Sequence, residues 1–289
     1  MPLSRRTLLA AAALLSATAP AVAQGRRTLA SDNPEAQLMG YFAAVMQFAP
    51  VGLMPAGSRR EIGGELTFIP SLSEADRTVG FGGTKLERTN FCPVLPRLRV
   101  GASFGRNSVE AGLTPPLRVC GVKATLLSAA FTRRFDLSDT WGAALRVTAL
   151  AGSLAAAITC SADAVADQAD LTCRGGQPSD DRVKPLAFGF DAAISYAGWQ
   201  RHNLEPYLLA GLRRERVALD VNYTRVGTAA DPAFDDHERF QATLTRWHAA
   251  LGASWNYSDR IRLGGEIFYA PGALLTVRGR ASLALGGRS

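Results

Sequence analysis

Charged side chains in this sequence recur at every second position within otherwise apolar stretches. Glu61 and Glu65, Arg97 and Arg99, Glu110, Arg146, Asp191, Arg246, Arg260 and Arg262, Glu266, Arg278 and Arg280 all follow this spacing. Successive side chains of an extended strand alternate sides, so a two-residue interval puts these groups on one face. The chemistry open to guanidinium and carboxylate groups crowded on shared faces is mutual pairing, because the planar fork of arginine matches a carboxylate bidentately. Eight arginines against five carboxylates leave 8 − 5 = 3 positive charges over. In an enclosed space such a surplus is costly unless water or anions reach it. The set is therefore expected to act either as a structural lattice or as the lining of a narrow passage favouring small anionic solutes.

The other candidates for chemistry are weaker. The three histidines, His202, His237 and His248, are scattered. His237 beside Asp235 and Asp236 has the residue types of a base with its orienting acid, but no serine or cysteine nucleophile accompanies it, and a solvated acidic loop is the simpler account. The Gly80–Gly83 stretch lacks the Lys-Ser/Thr ending of a phosphate-binding loop and reads as a flexible connection. Cys92, Cys120, Cys160 and Cys173 show no Cys-x-x-Cys spacing and no nearby histidine, so a zinc site is not expected. No enzymatic activity and no cofactor are expected.

The elements that must position the charged face are strands. In Glu61–Phe68, Ile62, Gly64, Leu66 and Phe68 alternate with Glu61, Gly63, Glu65 and Thr67. The same period of two runs through Arg97–Ser103, Ser108–Thr114, Trp141–Gly152, Leu186–Tyr196, Thr243–Tyr257, Arg260–Tyr269 and Leu275–Leu285. Val119–Phe135 and Leu204–Tyr223 are strand-like with faces that the pattern leaves unassigned, which brings the count to ten. Before them, Glu35–Ala49 reads as one short apolar helix, ended by Pro50, Pro55 and Gly57. Its place ahead of the first strand suggests that it partly closes the periplasmic mouth of whatever the strands enclose.

The chain has 289 residues, 47% of them hydrophobic and 20% charged, with a net charge of +7. Only Lys85, Lys123 and Lys184 are lysines, and the arginines are spread along the chain. That is not the clustered pattern of a nucleic-acid-binding arm. Residues 1–23 have the form of a signal peptide: Arg5-Arg6, an apolar stretch from Leu8 to Leu15, and Ala21-Val22-Ala23 as the cleavage site. Ser4-Arg5-Arg6-Thr7-Leu8-Leu9 also has the form of a twin-arginine signal. The remaining chain divides into a linker with the helix (24–60) and the strands (61–289), and it has no apolar run of about 18 residues that could span a membrane as a helix.

Two architectures accommodate exported strands of period two. A soluble sandwich or barrel turns the apolar face inward and would bind a ligand inside. A membrane barrel inverts this, with apolar residues on lipid and small or charged ones in the lumen. The polar faces here mix Gly, Ala and Ser with isolated charges, the filling of a narrow lumen. Trp247 and the Trp255/Tyr257 pair share one face, about ten residues apart, and Trp141 and Tyr196 sit at strand ends, as aromatic girdles require. Short links after Ser103, Phe135, Tyr196 and Tyr257 alternate mostly with longer segments, the asymmetry of periplasmic turns and outer loops. The expected fold is an all-β, antiparallel, up-and-down transmembrane β-barrel of about ten strands with a short N-terminal helix. Its register puts all four cysteines on the long-loop side, where Cys92 with Cys120 and Cys160 with Cys173 are the economical pairs.

Over most of its length the chain resembles, in pattern, bacterial outer-membrane β-barrel proteins of an uncharacterised, porin-like group. The stretches that carry the likeness include Val79-Gly80-Phe81-Gly82-Gly83-Thr84-Lys85 and Pro93-Val94-Leu95-Pro96-Arg97. The resemblance brings no catalytic residues. It implies residence in the outer membrane, with outer-membrane lipid and small anionic solutes as partners.

Overall fold

The computed structural model describes residues 26–83, 85–90, 92–167, 173–199, 203–225 and 234–285. Ten antiparallel strands form the wall. They are β1 (Arg59–Phe68), β2 (Val94–Phe104), β3 (Asn107–Thr114), β4 (Val122–Asp136) and β5 (Trp141–Ala156). β6 (Asp181–Tyr196), β7 (Leu204–Asp220), β8 (Arg239–Asn256), β9 (Ile261–Ala270) and β10 (Leu274–Leu285) follow. Each pairs with its neighbours in sequence, and β10 pairs with β1 from Arg278 opposite Thr67 to Leu285 opposite Arg60, which closes the ring. Closure leaves no free sheet edge, the condition for strands to cross a membrane.

The two-residue period sorts side chains as a lipid-facing wall demands. Leu98, Leu127 and Leu251 point outward at 57, 65 and 61% exposure, with Val100, Phe131, Phe188, Ile267 and Val277 around them. Left in water, a belt of this kind would forfeit roughly 25 cal/mol for every Å² of apolar surface, so it is built for hydrocarbon. Aromatic contacts mark both rims. Trp141 packs on Tyr196 and Trp255 on Tyr257 at one end, and Trp247 meets Tyr269 edge to face towards the other. The rings are half apolar and half polar, which suits a membrane boundary.

Connections at the first end are short: 105–106, 137–140, 197–203 and 257–260. At the other end lie 69–93, 115–121, 157–180, 221–238 and 271–273. Cys92 is bonded to Cys120 and Cys160 to Cys173, all within this long-connection end.

The N-terminal segment is inside the barrel. Helix α1 spans Pro34–Met46, with the Asn33 side chain accepting from Glu35 N at 2.8 Å and Pro34 in the first turn. It is shorter than the expected Glu35–Ala49, because Gln47 leaves helical geometry three residues before Pro50. From Leu38 to Met54 every residue is buried. The expected position at the turn-end mouth is also corrected. Gln37 meets Arg246 and the Tyr41 hydroxyl donates to Pro70 O, both near the long connections, whereas Gly57 N donates to Gly105 O at the opposite end. The segment thus runs down the whole lumen, and the strand Arg26–Thr28 pairs parallel with the start of β8 where it enters.

Candidate functional site

Below α1 the chain from Gln47 to Met54 forms neither helix nor strand and bends at Val51-Gly52, where Gly52 adopts φ 77°, and the wall supplies partners for its carbonyls. Inward arginines of the wall supply them. Arg97 donates to Met46 O at 2.9 Å and Gln47 O at 3.3 Å, and Arg213 to Phe48 O at 2.7 Å. Arg146 donates to Pro50 O at 2.7 Å, while Arg280 and Arg99 reach Val51 O at 3.1 and 3.5 Å. Arg134 donates to Met54 O at 3.0 Å. In the other direction Gly52 N donates to the Tyr207 hydroxyl at 2.9 Å. Buried backbone carbonyls must be satisfied, and charged donors make the stronger bonds.

Arg97, Arg99, Arg134, Arg146 and Arg280 are also paired with carboxylates behind the plug. Glu65 sits between Arg97 at 3.2 Å and Arg99 at 2.9 Å, and Arg99 goes on to Glu110. Arg280 joins Glu61 and lies 3.6 Å from Glu110. Asp191 holds Arg146 Nε and His248 Nε2, each at 2.8 Å. Arg278 pairs with Glu266, whose second oxygen accepts from Tyr207. Each guanidinium that touches both a carboxylate and a plug carbonyl ties wall to plug with its charge compensated, the condition under which burying an ion pair is tolerated.

Of the charged residues the sequence singled out, Glu61, Glu65, Arg97, Arg99, Glu110, Arg146, Asp191, Arg262, Glu266, Arg278 and Arg280 are buried in the lumen. Arg246 points in at the long-connection mouth and binds Gln37. Arg260 is corrected: it is exposed in the 257–260 turn, because β9 starts at Ile261 and the alternation that assigned it runs past the strand's end. Four further lumen groups went unassigned: Arg134, Glu205, Arg213 and Glu215, on β4 and β7. Their signal lies in register. Asp191 faces inward and pairs with Gly211, so Arg213 and Glu215, two and four residues on, share its side. Seven buried arginines (97, 99, 146, 213, 262, 278, 280) then meet seven buried carboxylates (61, 65, 110, 181, 191, 215, 266), Asp181 lying on the same face of β6 as Asp191, which leaves 7 − 7 = 0 rather than three.

His248 is buried against Phe268 with its imidazole on Asp191, a positioned pair inside the lattice. His237 is exposed and approaches Asn222 at 3.2 Å; His202 lies outside the described residues, as do the side chains of Asp235 and Asp236. Gly80–Gly83 forms one helical turn in the 69–93 connection. Beside it, Glu87 is buried with Lys85 Nζ 3.6 Å away, and burial pushes its carboxyl up to about 7.

No family model and no curated protein matches the chain. Among solved structures it is similar to Ail, the attachment invasion locus protein of Yersinia pestis, in complex with the heparin analogue sucrose octasulfate. That match has 10% identity, covers 80% of this chain and 97% of the other, and has a TM-score of 0.26. It is also similar to the Pseudomonas putida toluene transporter TodX, with 12% identity, coverage of 82% and 69%, and a TM-score of 0.33. A third similarity is to the translocator domain of the autotransporter NalP from Neisseria meningitidis, with 12% identity, coverage of 89% and 98%, and a TM-score of 0.30.

Proposed function

We propose that the protein is an outer-membrane β-barrel, not an enzyme, whose lumen is held closed by its own N-terminal segment. The short turns face the periplasm and the long connections face outward, in keeping with the usual asymmetry of such barrels. The observation that carries the reading is the donation by six arginines to six of the nine carbonyls from Met46 to Met54. The charges that could line an anion passage are thereby engaged by the plug. An anion-favouring path through the lumen exists only when that segment leaves, since its removal frees Arg97, Arg146, Arg213 and Arg280 from their carbonyls.

Planar-bilayer recording tests this. The full chain should show no steady conductance, and a variant lacking residues 34–54 should conduct with anion preference, its folding checked by heat-modifiable mobility on gels. Steady conductance of the intact chain would overturn the closed reading. Cation preference in the shortened variant would overturn the role of the arginines.

A further inference from the structure

Above β3 the barrel wall is notched. β2 pairs with β3 only from Leu98 opposite Leu113 onward, and β3 pairs with β4 no further than Thr114 opposite Leu126. Beyond those points β2 continues through Val94 and β4 through Val122, each for four residues, and only the two-residue strand Arg118–Val119, paired with Lys123 and Val122, lies beside β4 there. Pro115 and Pro116 follow β3 directly, and a residue without an N–H cannot extend that ladder.

The gap is a framed window. The Cys92–Cys120 disulfide crosses its top, and Thr114 and Pro115 form its sill. Val94, Leu95 and Pro96 stand on one side, with Leu117, Val119 and Val122 on the other. The back is not lumen water but α1, through Tyr41, Phe42 and Val45. The enclosed space is about 80 Å³, which exceeds what one water occupies, and its lining is overwhelmingly apolar.

Position and charge identify the occupant. Pro96 and Val94 pair with Leu66 and Phe68, six and eight residues along β1 from Arg60 at the turn end. At roughly 3.3 Å per residue and a tilt near 40°, the window stands about 15 to 20 Å above that end, within an apolar band about 25 Å tall. It therefore opens into hydrocarbon, on the long-connection side. At its upper rim Arg118 and Lys123 face each other across the hairpin closed by Cys120 and Gly121, which adopt φ of 50° and 81° as a tight hairpin turn requires. Both cations are exposed, and neither has an ion-pair partner among the described residues. An apolar slot below two unpaired cations matches an acyl chain below an anionic headgroup.

We propose that this window binds an acyl chain of an anionic lipid from the surrounding leaflet, the chain lying against α1 and the headgroup on Arg118 and Lys123. The inference does not depend on any movement of the plug. Residues of α1 lie inside the barrel, so lipid can touch them only through the wall.

The test is photocrosslinking of the full chain in nanodiscs doped with phosphatidylglycerol carrying a diazirine in its acyl chain, with adducts mapped by peptide mass spectrometry. Adducts are expected on the peptide holding Tyr41, Phe42 and Val45, several-fold more than from the matched phosphatidylcholine. Arg118→Gln with Lys123→Gln, both at the surface, should bring labelling down to the phosphatidylcholine level. Leu95→Trp, or Ala124→Phe if the first fails to fold, should remove the α1 adducts and leave those on the outward wall at Leu127. An unlabelled α1 beside a labelled wall would overturn the proposal. Equal labelling by both lipids, unchanged in the double variant, would also overturn it, as would labelling of α1 only by a free diazirine fatty acid.

Discussion

Arg146 and Pro50 are joined across the lumen: the guanidinium donates to the proline carbonyl at 2.7 Å while its Nε holds Asp191 at 2.8 Å. Proline cannot use an N–H of its own, and a segment that is neither helix nor strand has no ladder, so this carbonyl depends wholly on the wall. Replacing Arg146 with Gln removes the plug contact and leaves Asp191 buried with His248 as its remaining side-chain hydrogen-bond partner among the described residues. Breaking one partner of a buried pair costs about 3–5 kcal/mol, and the double variant Arg146→Gln/Asp191→Asn should cost less than the sum of its parts. Denaturant midpoints of the four proteins check this; additive losses would mean that Arg146 acts on the plug alone.

Gly112 is an inward position of β3 that works by having no side chain. A Cβ there would lie 2.8 Å from Arg97 Cδ and 3.0 Å from Phe48 Cε2. Gly112→Leu should push Phe48 off its seat under Arg97, whose guanidinium lies 5.1 Å from the ring. The expected outcome is protease cleavage between residues 47 and 57, several-fold faster than in the parent. The barrel itself should keep its heat-modifiable mobility. Unchanged cleavage would show that the lumen has slack at this level.

What the sequence made readable, and what it hid, divides along physical lines. Wherever one face is apolar and the other mixed, as in Leu274–Leu285, strand and facing followed from period alone. β7 resisted because Leu208-Leu209 and Arg213-Arg214-Glu215-Arg216 put like residues on both faces, and only pairing with β6 resolves them. Arg214 and Arg216 stand outward near the long-connection rim, where a cation reaches headgroups, so polarity there does not report on the lumen. The plug was hidden for another reason. Its buried run from Leu38 to Met54 is apolar on every side, which signals full enclosure but not what encloses it, and the carbonyls that fix its path leave no trace in residue type.

Glu87 gives the long-connection end a pH dependence of defined sign. Burial outweighs the attraction of Lys85, and Asp181 and Glu35 raise the carboxyl further, so it titrates near 7 in the folded chain. Unfolded, it titrates near 4.3. Below that value both states hold the proton and no penalty arises. As pH rises towards 7 only the unfolded state loses it, so stability falls, and the loss is complete above the folded value. The shift corresponds to something on the order of 3 kcal/mol. Hydrogen exchange across 69–93 should be slower at pH 5 than at pH 8 after correction for intrinsic rates, and Glu87→Gln should abolish the difference. A variant with the parent's pH response would assign it to another group.

The path of the N-terminal segment fixes which end of the barrel each part of the chain occupies. Arg26–Thr28 lies beside Arg239–Gln241 at the long-connection end, whereas β10 finishes at Leu285, opposite Arg60, at the turn end. If the turns face the periplasm, residues 26–31, just ahead of α1, lie on the outer side of the membrane. Ser31 is exposed just before the helix, and Asp139 is exposed in the 137–140 turn. A membrane-impermeant maleimide added to intact cells should therefore label Ser31→Cys and spare Asp139→Cys, with both reacting once the outer membrane is opened. The opposite pattern would invert the orientation and place the plug's mouth in the periplasm. The arginine contacts along Met46–Met54 would remain, but the closed end would then face the cell.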